Sequence, residues 1–552
     1  MGLIGSTSKR PATAQWMVMF IGIVLSMLTL SCTNERETPA AAAARQKILL
    51  LGNGSEPKGL DPHLATGVPE NQIISTLIEG LVSHHPSDDF IDAPGVAQRW
   101  ESDLESRVWT FFLRSDAKWT NGDPVTAHDF VYAYRRMLTA SLGARYADML
   151  YIIKNAESYH QGKIQDFSEV GVRAIDSHTL RIELIGPTPY FPSMLKHYSW
   201  FPVNPSVIEA HGGIDDRDAS WTQVEHFVGN GPFRLKIWKT NSFIEVERSP
   251  TYWDRDHVIP NGIRFFPIER LSTEESAFRA GQLHYAYQIP LDRIEYYKKH
   301  EPDRIRFDDY LGTYFYRFNV TKPPFDNVLV RKALSAAIDR ESIVTHITRG
   351  GERPATGYVY AGMKGYESPG DLHFDPEQAR SWLAEAGYPD GNGFPDAEIL
   401  INTAESHKVI AEAIQAMWRE HLNIEVGLIN QEWKVYLDSQ YNLRYQISRS
   451  GWIGDFMDPI TFLLIFTSGS GNNNTGWSNA KYDALYQSLL STGDRERRYQ
   501  IMQEMESILL EDLPIAPIYW YTRKFLLHPG IKDWHPKLLD NRPLKSVDFH
   551  PQ

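Results

Sequence analysis

The segment Arg449-Ser450-Gly451-Trp452-Ile453-Gly454-Asp455 places a cation and a carboxylate six residues apart, with a broad aromatic ring between them. Such a pair can hold the two ends of a zwitterion, or the two side chains can pair with each other as a structural ion pair. Ion pairs are commoner than binding sites, so these seven residues alone favour the structural pair. Residues 445–448 alternate like a short strand until the glycines interrupt them, which predicts that Arg449 and Asp455 lie where a strand opens into a loop.

Length and composition limit the classes of protein that fit. A chain of 552 residues is too long to fold around one hydrophobic core. At about 150 residues per domain, this length predicts two to four domains. Apolar residues make up 42% and charged residues 23%, as in folded globular proteins. The 15 Trp and 27 Tyr either fill several ordinary cores or line a polar cavity. The formal charge of −13 argues against nucleic acid as a partner.

The amino terminus follows a secretory plan. Two basic residues precede the apolar run 16–30, which is shorter than the about 20 residues that span a bilayer. Cys32, the single cysteine, follows directly and resembles the lipidation site of a bacterial lipoprotein. Thr29 stands where such sites usually have leucine, so a plain signal peptide cut nearby remains an alternative. We therefore expect a signal peptide at 1–31 and a tether at 32–46.

Helix and strand signals alternate along the rest of the chain and predict a mixed α+β protein. Alternating or short apolar runs predict strands at 47–51, 108–113, 233–238, 243–247, 263–268, 314–318, 397–401 and 424–429. Apolar residues at helical spacing predict helices at 71–81, 126–138, 330–338, 376–386 and 407–421. Residues 397–429 form a strand-helix-strand unit of the kind that builds parallel sheets.

A secreted hydrolase is the competing class, and its usual motifs are absent from the sequence. The sequence has no His-Glu-x-x-His, no Gly-x-Ser-x-Gly and no phosphate-binding glycine loop. His84-His85 beside Asp88-Asp89 could hold a metal, but adjacent histidines in a polar loop are more often solvated. The 69 acidic residues leave a glycosidase pair possible without selecting one.

A series of ordered motifs resembles the periplasmic oligopeptide-binding proteins of peptide ABC importers, from about Lys47 to the carboxyl terminus. The motifs are Leu60-Asp61-Pro62-His63, Gly67-Val68-Pro69-Glu70, Trp109-Thr110-Phe111, Ala117-Lys118-Trp119, Pro124-Val125-Thr126-Ala127-His128-Asp129-Phe130-Val131-Tyr132, Asn230-Gly231, Tyr252-Trp253-Asp254, Leu383-Ala384-Glu385-Ala386-Gly387, Asn430-Gln431-Glu432-Trp433-Lys434 and Arg449-x-Gly451-Trp452-x-x-Asp455.

The resemblance implies an α+β fold of two lobes that close over a ligand in the cleft between them. Three domains are implied: a discontinuous domain I at 47–80, 204–310 and 522–552, an inserted domain II at 81–203, and a domain III at 311–521. It further implies a monomeric receptor without cofactor or metal. Such a receptor binds short peptides and passes them to an inner-membrane ABC permease, with at most a lipid anchor in the membrane.

The resemblance also implies roles for site residues. A carboxylate at Asp455 takes the free amino group of the peptide, and cations at Arg449 and His407 meet its carboxylate. Backbone pairing with an extended ligand involves Val68, Gly451 and the segment that contains Tyr314, while pocket walls come from Trp433, Trp452 and Tyr146. Backbone pairing gives affinity without sequence preference, and roomy pockets let the ligand side chains vary.

Several positions depart from the family pattern. A cysteine pair is replaced by Gly312 and Ile453, and an acidic partner of the arginine by Thr66. Two of the family's cations fall at Gln440 and Thr348, although Arg349 adjoins the second. These losses predict a narrow preference for tri- and tetrapeptides. A cell-wall peptide, a haem or a metal complex remains an alternative ligand within the family.

Overall fold

The computed structural model describes residues 1–5 and 37–550, along which strands and helices alternate. The strands, in chain order, are β1 (Ile48–Gly52), β2 (Val82–His84), β3 (Asp92–Pro94), β4 (Ala97–Ser102), β5 (Val108–Leu113), β6 (Val172–Asp176), β7 (Thr179–Glu183), β8 (Phe233–Lys239), β9 (Phe243–Arg248), β10 (Gly262–Phe266), β11 (Tyr285–Ala286), β12 (Ile305–Phe318), β13 (Arg353–Pro354), β14 (Ala397–Asn402), β15 (Val426–Gln431), β16 (Ile447–Ile453), β17 (Ile515–Leu527), β18 (Ile531–Lys532) and β19 (Asp548–Phe549).

Short 3-10 turns and one π-helical turn (Ile343–Thr348) connect the regular elements. The α-helices, in chain order, are α1 (Pro39–Arg45), α2 (Val68–Leu77), α3 (Ala127–Met137), α4 (Ala156–His160), α5 (Phe191–Met194), α6 (Pro205–Ala210), α7 (Leu271–Arg279), α8 (Ile294–His300), α9 (Val328–Ala336), α10 (Arg340–Ser342), α11 (Pro376–Glu385), α12 (Glu405–Leu422), α13 (Trp433–Tyr441), α14 (Ile460–Leu463), α15 (Ala480–Leu489) and α16 (Arg495–Asp512).

A large mixed sheet connects the two lobes. Its strand order is β15-β14-β16-β12-β17-β11-β1-β10-β9-β8, with β13 added beside β17. The first half of β12 pairs with the end of β17 that also joins β11, and its second half pairs with β16. The pairing of β12 with β17 shifts register between Asp309 and Thr313, so an irregular backbone segment separates the two halves. Two long strands thus pass from one lobe into the other.

A separate antiparallel sheet, in the order β4-β5-β7-β6, forms the centre of residues 81–203. Helix α3 covers it with Phe130, Ala133 and Met137, all fully buried. The predicted cap of this helix is present, because the Thr126 amide donates to Asp129 Oδ2 at 2.8 Å. The mixture of sheets and helices, together with the two-lobed architecture, confirms the predicted α+β class.

The strand-helix-strand unit predicted at 397–429 is also present. Strand β14 pairs in parallel with β15 through helix α12, and on its other side it pairs in parallel with β16. The predicted cap of α11 is confirmed, since Asp375 accepts a hydrogen bond from the Gln378 amide at 2.9 Å and Gly387 has the positive φ typical of a helix end. This unit places the start of α12 and the strand β16 side by side.

Part of the predicted tether is instead a docked helix. Thr38 caps α1 by accepting from the Ala41 amide at 3.2 Å, and alanine is the strongest helix former. Ala40 is fully buried, its amide donates to Gly281 O at 2.9 Å, and its carbonyl lies 2.9 Å from His284 Nε2. The flexible tether expected up to residue 46 is therefore wrong from Pro39 onward. The signal-peptide prediction and Cys32 fall outside the described residues.

The backbone does not open into a loop at Gly451, contrary to the prediction from the sequence. Strand β16 continues through this residue to Ile453, paired with β12 from Gly312 to Phe318. The glycine admits a close neighbour instead of ending the strand, because a β-carbon there would lie 2.5 Å from the Tyr521 hydroxyl. Arg449 consequently lies inside a strand, and only Asp455 lies beyond its end. Within residues 1–5 and 37–550, no helix combines the length and the apolar character that a membrane span requires.

Candidate functional site

Arg449 presents a guanidinium that is held by neutral groups. Its Nη1 donates to Asn402 Oδ1 at 3.1 Å and its Nη2 donates to Tyr521 Oη at 3.1 Å. Its Cζ lies 4.9 Å from the ring centroid of Tyr314, and its Nε is enclosed without a hydrogen-bond partner. Among the described side chains, no carboxylate lies within ion-pair distance of it. The site therefore offers a cation that an anionic ligand group can reach.

Tyrosines and a histidine surround this cation. Tyr314 stacks on Tyr519 with centroids 4.7 Å apart and rings 10° from parallel, and Tyr521 packs edge-on against Tyr519. His407 Nδ1 lies 3.5 Å from the Tyr314 hydroxyl. Burial and the Arg449 charge lower the pKa of His407 to about 3, so its imidazole is neutral before a ligand arrives. His407 can donate or accept a hydrogen bond here, but it does not supply the charge expected from the sequence.

Asp455 presents the opposite charge just after β16. Its amide donates to Thr461 Oγ1 at 3.0 Å, which fixes the backbone and leaves the carboxylate free. Burial and, to a smaller extent, the charge of Asp148 raise the pKa of this carboxyl to about 7. No described cation pairs with Asp455, and the ion pair with Arg449 considered from the sequence is absent. An ammonium group brought by a ligand would lower this pKa and stabilise the charge.

The second lobe faces Asp455 with aromatic and acidic groups. Tyr146 and Asp148 lie at the 3-10 turn Ala147–Leu150, and the Tyr146 ring lies 5.0 Å from His197 and 6.0 Å from Tyr198. Burial raises the pKa of Tyr146, and the Asp455 charge adds to the rise. Residues 140–200 and Asp455 belong to separate parts of the chain, so the fold brings them together across the cleft.

The two tryptophans predicted as pocket walls, Trp433 and Trp452, lie in different parts of the site. Trp452 is half-buried and donates through Nε1 to Thr461 O at 2.8 Å. Trp433 is 50% exposed and stacks on the buried Tyr436, whose hydroxyl donates to the carbonyl of Arg449. Val68, the first residue of α2, is 39% exposed. The structure therefore brings Trp433 near Arg449, and Trp452 beside the loop that holds Asp455.

The structure also shows what surrounds the positions that depart from the family pattern. Gly312 and Ile453 are direct partners across β12 and β16, as a replaced cysteine pair requires. Thr348 is buried and donates to Glu352 Oε2 at 2.8 Å. Arg349 turns back on its own segment, where Nε donates to His346 O at 2.8 Å. Arg349 therefore does not stand in for the cation missing at Thr348.

Four groups of the site were not predicted: Asn402, Tyr519 and Tyr521 around Arg449, and Asp148 opposite Asp455. The alternation of Ile515–Tyr521 indicates a strand that carries two tyrosines on one face, which is a usable signal. Asp148 has no such signal, because its approach to Asp455 depends on how the lobes fold together. Among the described residues, no group of three or more His, Cys, Asp or Glu is arranged to hold a metal ion.

Comparison with known proteins agrees with this geometry. Residues 93–474 match the family described as bacterial extracellular solute-binding proteins, family 5 Middle. The chain is 35% identical over 541 residues to the periplasmic oligopeptide-binding protein OppA of Salmonella typhimurium, covering 95% of this chain and 97% of that protein. It is 34% identical over 520 residues to the periplasmic murein peptide-binding protein MppA of Escherichia coli, covering 93% of this chain and 94% of that protein.

Solved structures show the same likeness over nearly the whole chain. Haemophilus influenzae OppA in complex with RPPGFSPFR has a TM-score of 0.77 and 35% identity, with 92% of this chain and 99% of that chain covered. The Escherichia coli murein tripeptide binding protein MppA has a TM-score of 0.79 and 32% identity at the same coverage. The resemblance inferred from the motifs is confirmed.

Proposed function

Because the chain belongs to the bacterial extracellular solute-binding proteins of family 5, we propose that it is an extracytoplasmic receptor for short peptides. It captures a peptide with a free amino terminus and delivers it to an ABC permease in the inner membrane. It performs no chemistry on the ligand. This places it beside relatives whose names describe oligopeptide, dipeptide and murein peptide binding.

One observation carries the proposal: a cation inside strand β16, Arg449, and a carboxylate just beyond its end, Asp455, have no partner of opposite charge among the described residues. Arg449 contacts only neutral groups, and the Asp455 carboxylate interacts with one acid, Asp148, and two tyrosines, Tyr146 and Tyr198. An uncompensated charge in a closed cleft is costly. A zwitterion neutralises both at once, since its ammonium group pairs with Asp455 and its carboxylate with Arg449. Because Arg449 and Asp455 are six residues apart, their α-carbons are separated by at most about 20 Å.

The same geometry supports a preference for tri- and tetrapeptides. An extended chain advances about 3.3 Å per residue, so each peptide length brings its carboxylate to a different partner. Arg449 and the neutral His407 lie close to one another, whereas Gln440 and Thr348 carry no charge. Peptides whose carboxylate ends near Arg449 are thus favoured over the nine-residue length held by the Haemophilus influenzae relative.

The division into three domains is part of the proposal. Domain I comprises 47–80, 204–310 and 522–552, domain II comprises 81–203, and domain III comprises 311–521. The register shift after Asp309 and the separate sheet β4-β5-β7-β6 support these boundaries. We further propose a monomer held at the membrane by a lipid on Cys32.

A cell-wall peptide is the second candidate ligand, favoured by the 34% identity with the murein peptide-binding protein. Calorimetry with trialanine, N-acetyltrialanine, trialanine amide and a murein tripeptide separates the possibilities. Peptide recognition predicts that trialanine binds and that blocking either end weakens binding. Tight binding of the murein peptide alone supports the second candidate. Binding of neither, with turnover of a glycan or peptide library, would instead establish a hydrolase.

A further inference from the structure

Arg317 is a buried cation without a charged partner. It lies in β12 with only 4% of its surface exposed. Its Nη1 lies 3.5 Å from Gln440 Oε1, a distance at the outer limit of a hydrogen bond, and its Nε is enclosed without any partner. Among the described side chains, no carboxylate lies within ion-pair distance of this guanidinium. A buried charge left in this condition strongly destabilises a fold.

Each of the other arginines that is buried to the same degree has an anion or backbone carbonyls as a partner, although Arg136 Nε and Arg498 Nη2 donate to nothing described. Their partners are Asp61 for Arg136, backbone carbonyls for Arg331 and Arg340, and Asp458 for Arg498. All four are no more exposed than Arg317. These four guanidinium groups meet an anion or several carbonyl oxygens, whereas Arg317 meets only the amide oxygen of Gln440.

A second unsatisfied donor lies next to this guanidinium. The Arg317 Cζ is 5.6 Å from the ring centroid of Phe315, and Phe315 meets Tyr358 edge-on with centroids 5.4 Å apart. Tyr358 is fully buried, and its hydroxyl is enclosed without a partner. Burial raises the pKa of Tyr358, the Arg317 charge opposes the rise, and the charge of the Glu506 carboxylate adds to it. Two donor groups, Arg317 Nε and the Tyr358 hydroxyl, are thus enclosed here without a hydrogen-bond partner among the described residues.

Arg317 does not belong to the peptide site. In the pairing of β12 with β16, Arg317 is opposite Ser448 and Tyr316 is opposite Arg449. Successive residues of a strand point to opposite faces of the sheet, so Arg317 and Arg449 lie on different faces. Gln440 stands between them and donates to Ser448 Oγ at 2.8 Å and to Arg449 O at 3.0 Å. The carboxylate of a bound peptide is therefore not the expected partner of Arg317.

We propose that a chloride ion binds between Arg317 and Tyr358 inside domain III. A single negative charge neutralises the guanidinium, and a spherical ion accepts N–H and O–H donors from several directions. The aromatic rings beside it disfavour larger, strongly hydrated anions such as sulfate or phosphate, which need many more donors. The ion would stabilise the lobe that carries the peptide site without touching the peptide.

The first test compares thermal unfolding of the peptide-free protein in sodium chloride and in sodium gluconate, both at about 0.15 M ionic strength. Chloride should raise the midpoint by an amount that grows with its concentration, as for any ligand of the native state. Crystals grown in sodium bromide should show an anomalous peak in contact with the Arg317 guanidinium and the Tyr358 hydroxyl. The peak should persist when the peptide site is saturated with trialanine.

Three variants sharpen the test. Arg317→Met should abolish the response to chloride and, in gluconate, should be at least as stable as the parent because the unpaired charge is gone. Tyr358→Phe should raise the half-saturating chloride concentration several-fold. Tyr445→Phe is the matched control: Tyr445 also senses the Arg317 charge, but its hydroxyl already donates to Asn474 O, so its chloride response should be unchanged.

Equal midpoints in the two salts with no bromide peak would overturn the proposal, and this comparison needs no variant to fold. Loss of the peak on peptide saturation would assign the guanidinium to the peptide site and equally reject a separate chloride. Half-saturation only at molar chloride would indicate an adventitious ion only.

Discussion

Gly451 and Tyr521 approach so closely that a β-carbon at residue 451 would lie 2.5 Å from the tyrosine hydroxyl. The same hydroxyl accepts a hydrogen bond from Arg449 Nη2 at 3.1 Å. The absence of a side chain on β16 therefore keeps the cation of the site in place.

Gly451→Ala should displace Tyr521 and loosen Arg449, so we expect about tenfold weaker binding of trialanine, or about 1.4 kcal/mol. Calorimetry measures this directly. Gly469→Ala is the matched control, because nothing lies within 4 Å of a β-carbon there and its affinity should not change. An unaffected Gly451→Ala protein would show that Tyr521 is not needed to hold Arg449.

Peptide affinity should depend on pH through Asp455. Its raised pKa, about 7 in the empty site, means that below this pH the ligand must displace a proton from the carboxyl group. Affinity should therefore fall as the pH drops below about 7, towards tenfold per pH unit, and should fall again above about 8 as the peptide amine loses its proton. Titration calorimetry from acid to alkaline pH gives the profile.

Asp148→Asn offers a check on this interpretation. Removing the neighbouring negative charge should lower the pKa of Asp455 and move the acid limb of the profile to lower pH. Asp455→Asn should flatten the acid limb altogether. An acid limb that survives in Asp455→Asn would mean that another group titrates.

The dependence of affinity on peptide length should be set by the contacts of the peptide carboxylate near Arg449. With polyalanine peptides of two to six residues, we expect the tightest binding at three and four. Arg449→Ala and His407→Ala should then weaken different lengths unequally, whereas Lys408→Ala, on the exposed side of α12, should weaken none. A flat profile across lengths, or variants that weaken every length alike, would contradict length selection while leaving peptide binding intact.

The stability of the fold should depend on buried ion pairs far more than on exposed ones. Arg136 is fully buried and donates to both oxygens of Asp61, at 2.9 and 2.6 Å. Arg136→Met leaves the Asp61 charge buried and should cost about 3–5 kcal/mol of unfolding free energy. Arg419→Met, which breaks an exposed pair with Glu425, should cost far less, because solvent screens that pair. Urea unfolding of both variants compares the two losses, and similar losses would contradict this distinction.

Local signals predicted many elements correctly, because caps and periodicity depend on neighbours in the chain. The capping of α3 by Thr126 and Asp129 and the parallel unit at 397–429 are examples. The helix in the alanine run before residue 46 has no sufficient local signal, because it depends on a docking site formed by Gly281 and His284. Contacts across more than two hundred residues leave no local signal.

The site was predicted unevenly for the same reason. The motif that contains Arg449 and Asp455 identified the β16 segment as part of the site. The resemblance to the family added His407. The neutral state of His407 and the approach of Asp148 to Asp455 depend on burial and on the packing of the two lobes. In the sequence Gly451 indicates a strand break, whereas in the structure it stays in the strand and leaves room for Tyr521.

The central claim is that Asp455 reads the free amino group of a peptide, and a double-mutant cycle by calorimetry tests it most directly. Trialanine and N-acetyltrialanine are titrated into the parent protein and into Asp455→Asn. Each single change should weaken binding by about 3–5 kcal/mol, and the two losses together should be little larger than either alone, because both remove the same pair. Fully additive losses, or an acetylated peptide that binds the parent as tightly as the free peptide, would contradict the claim.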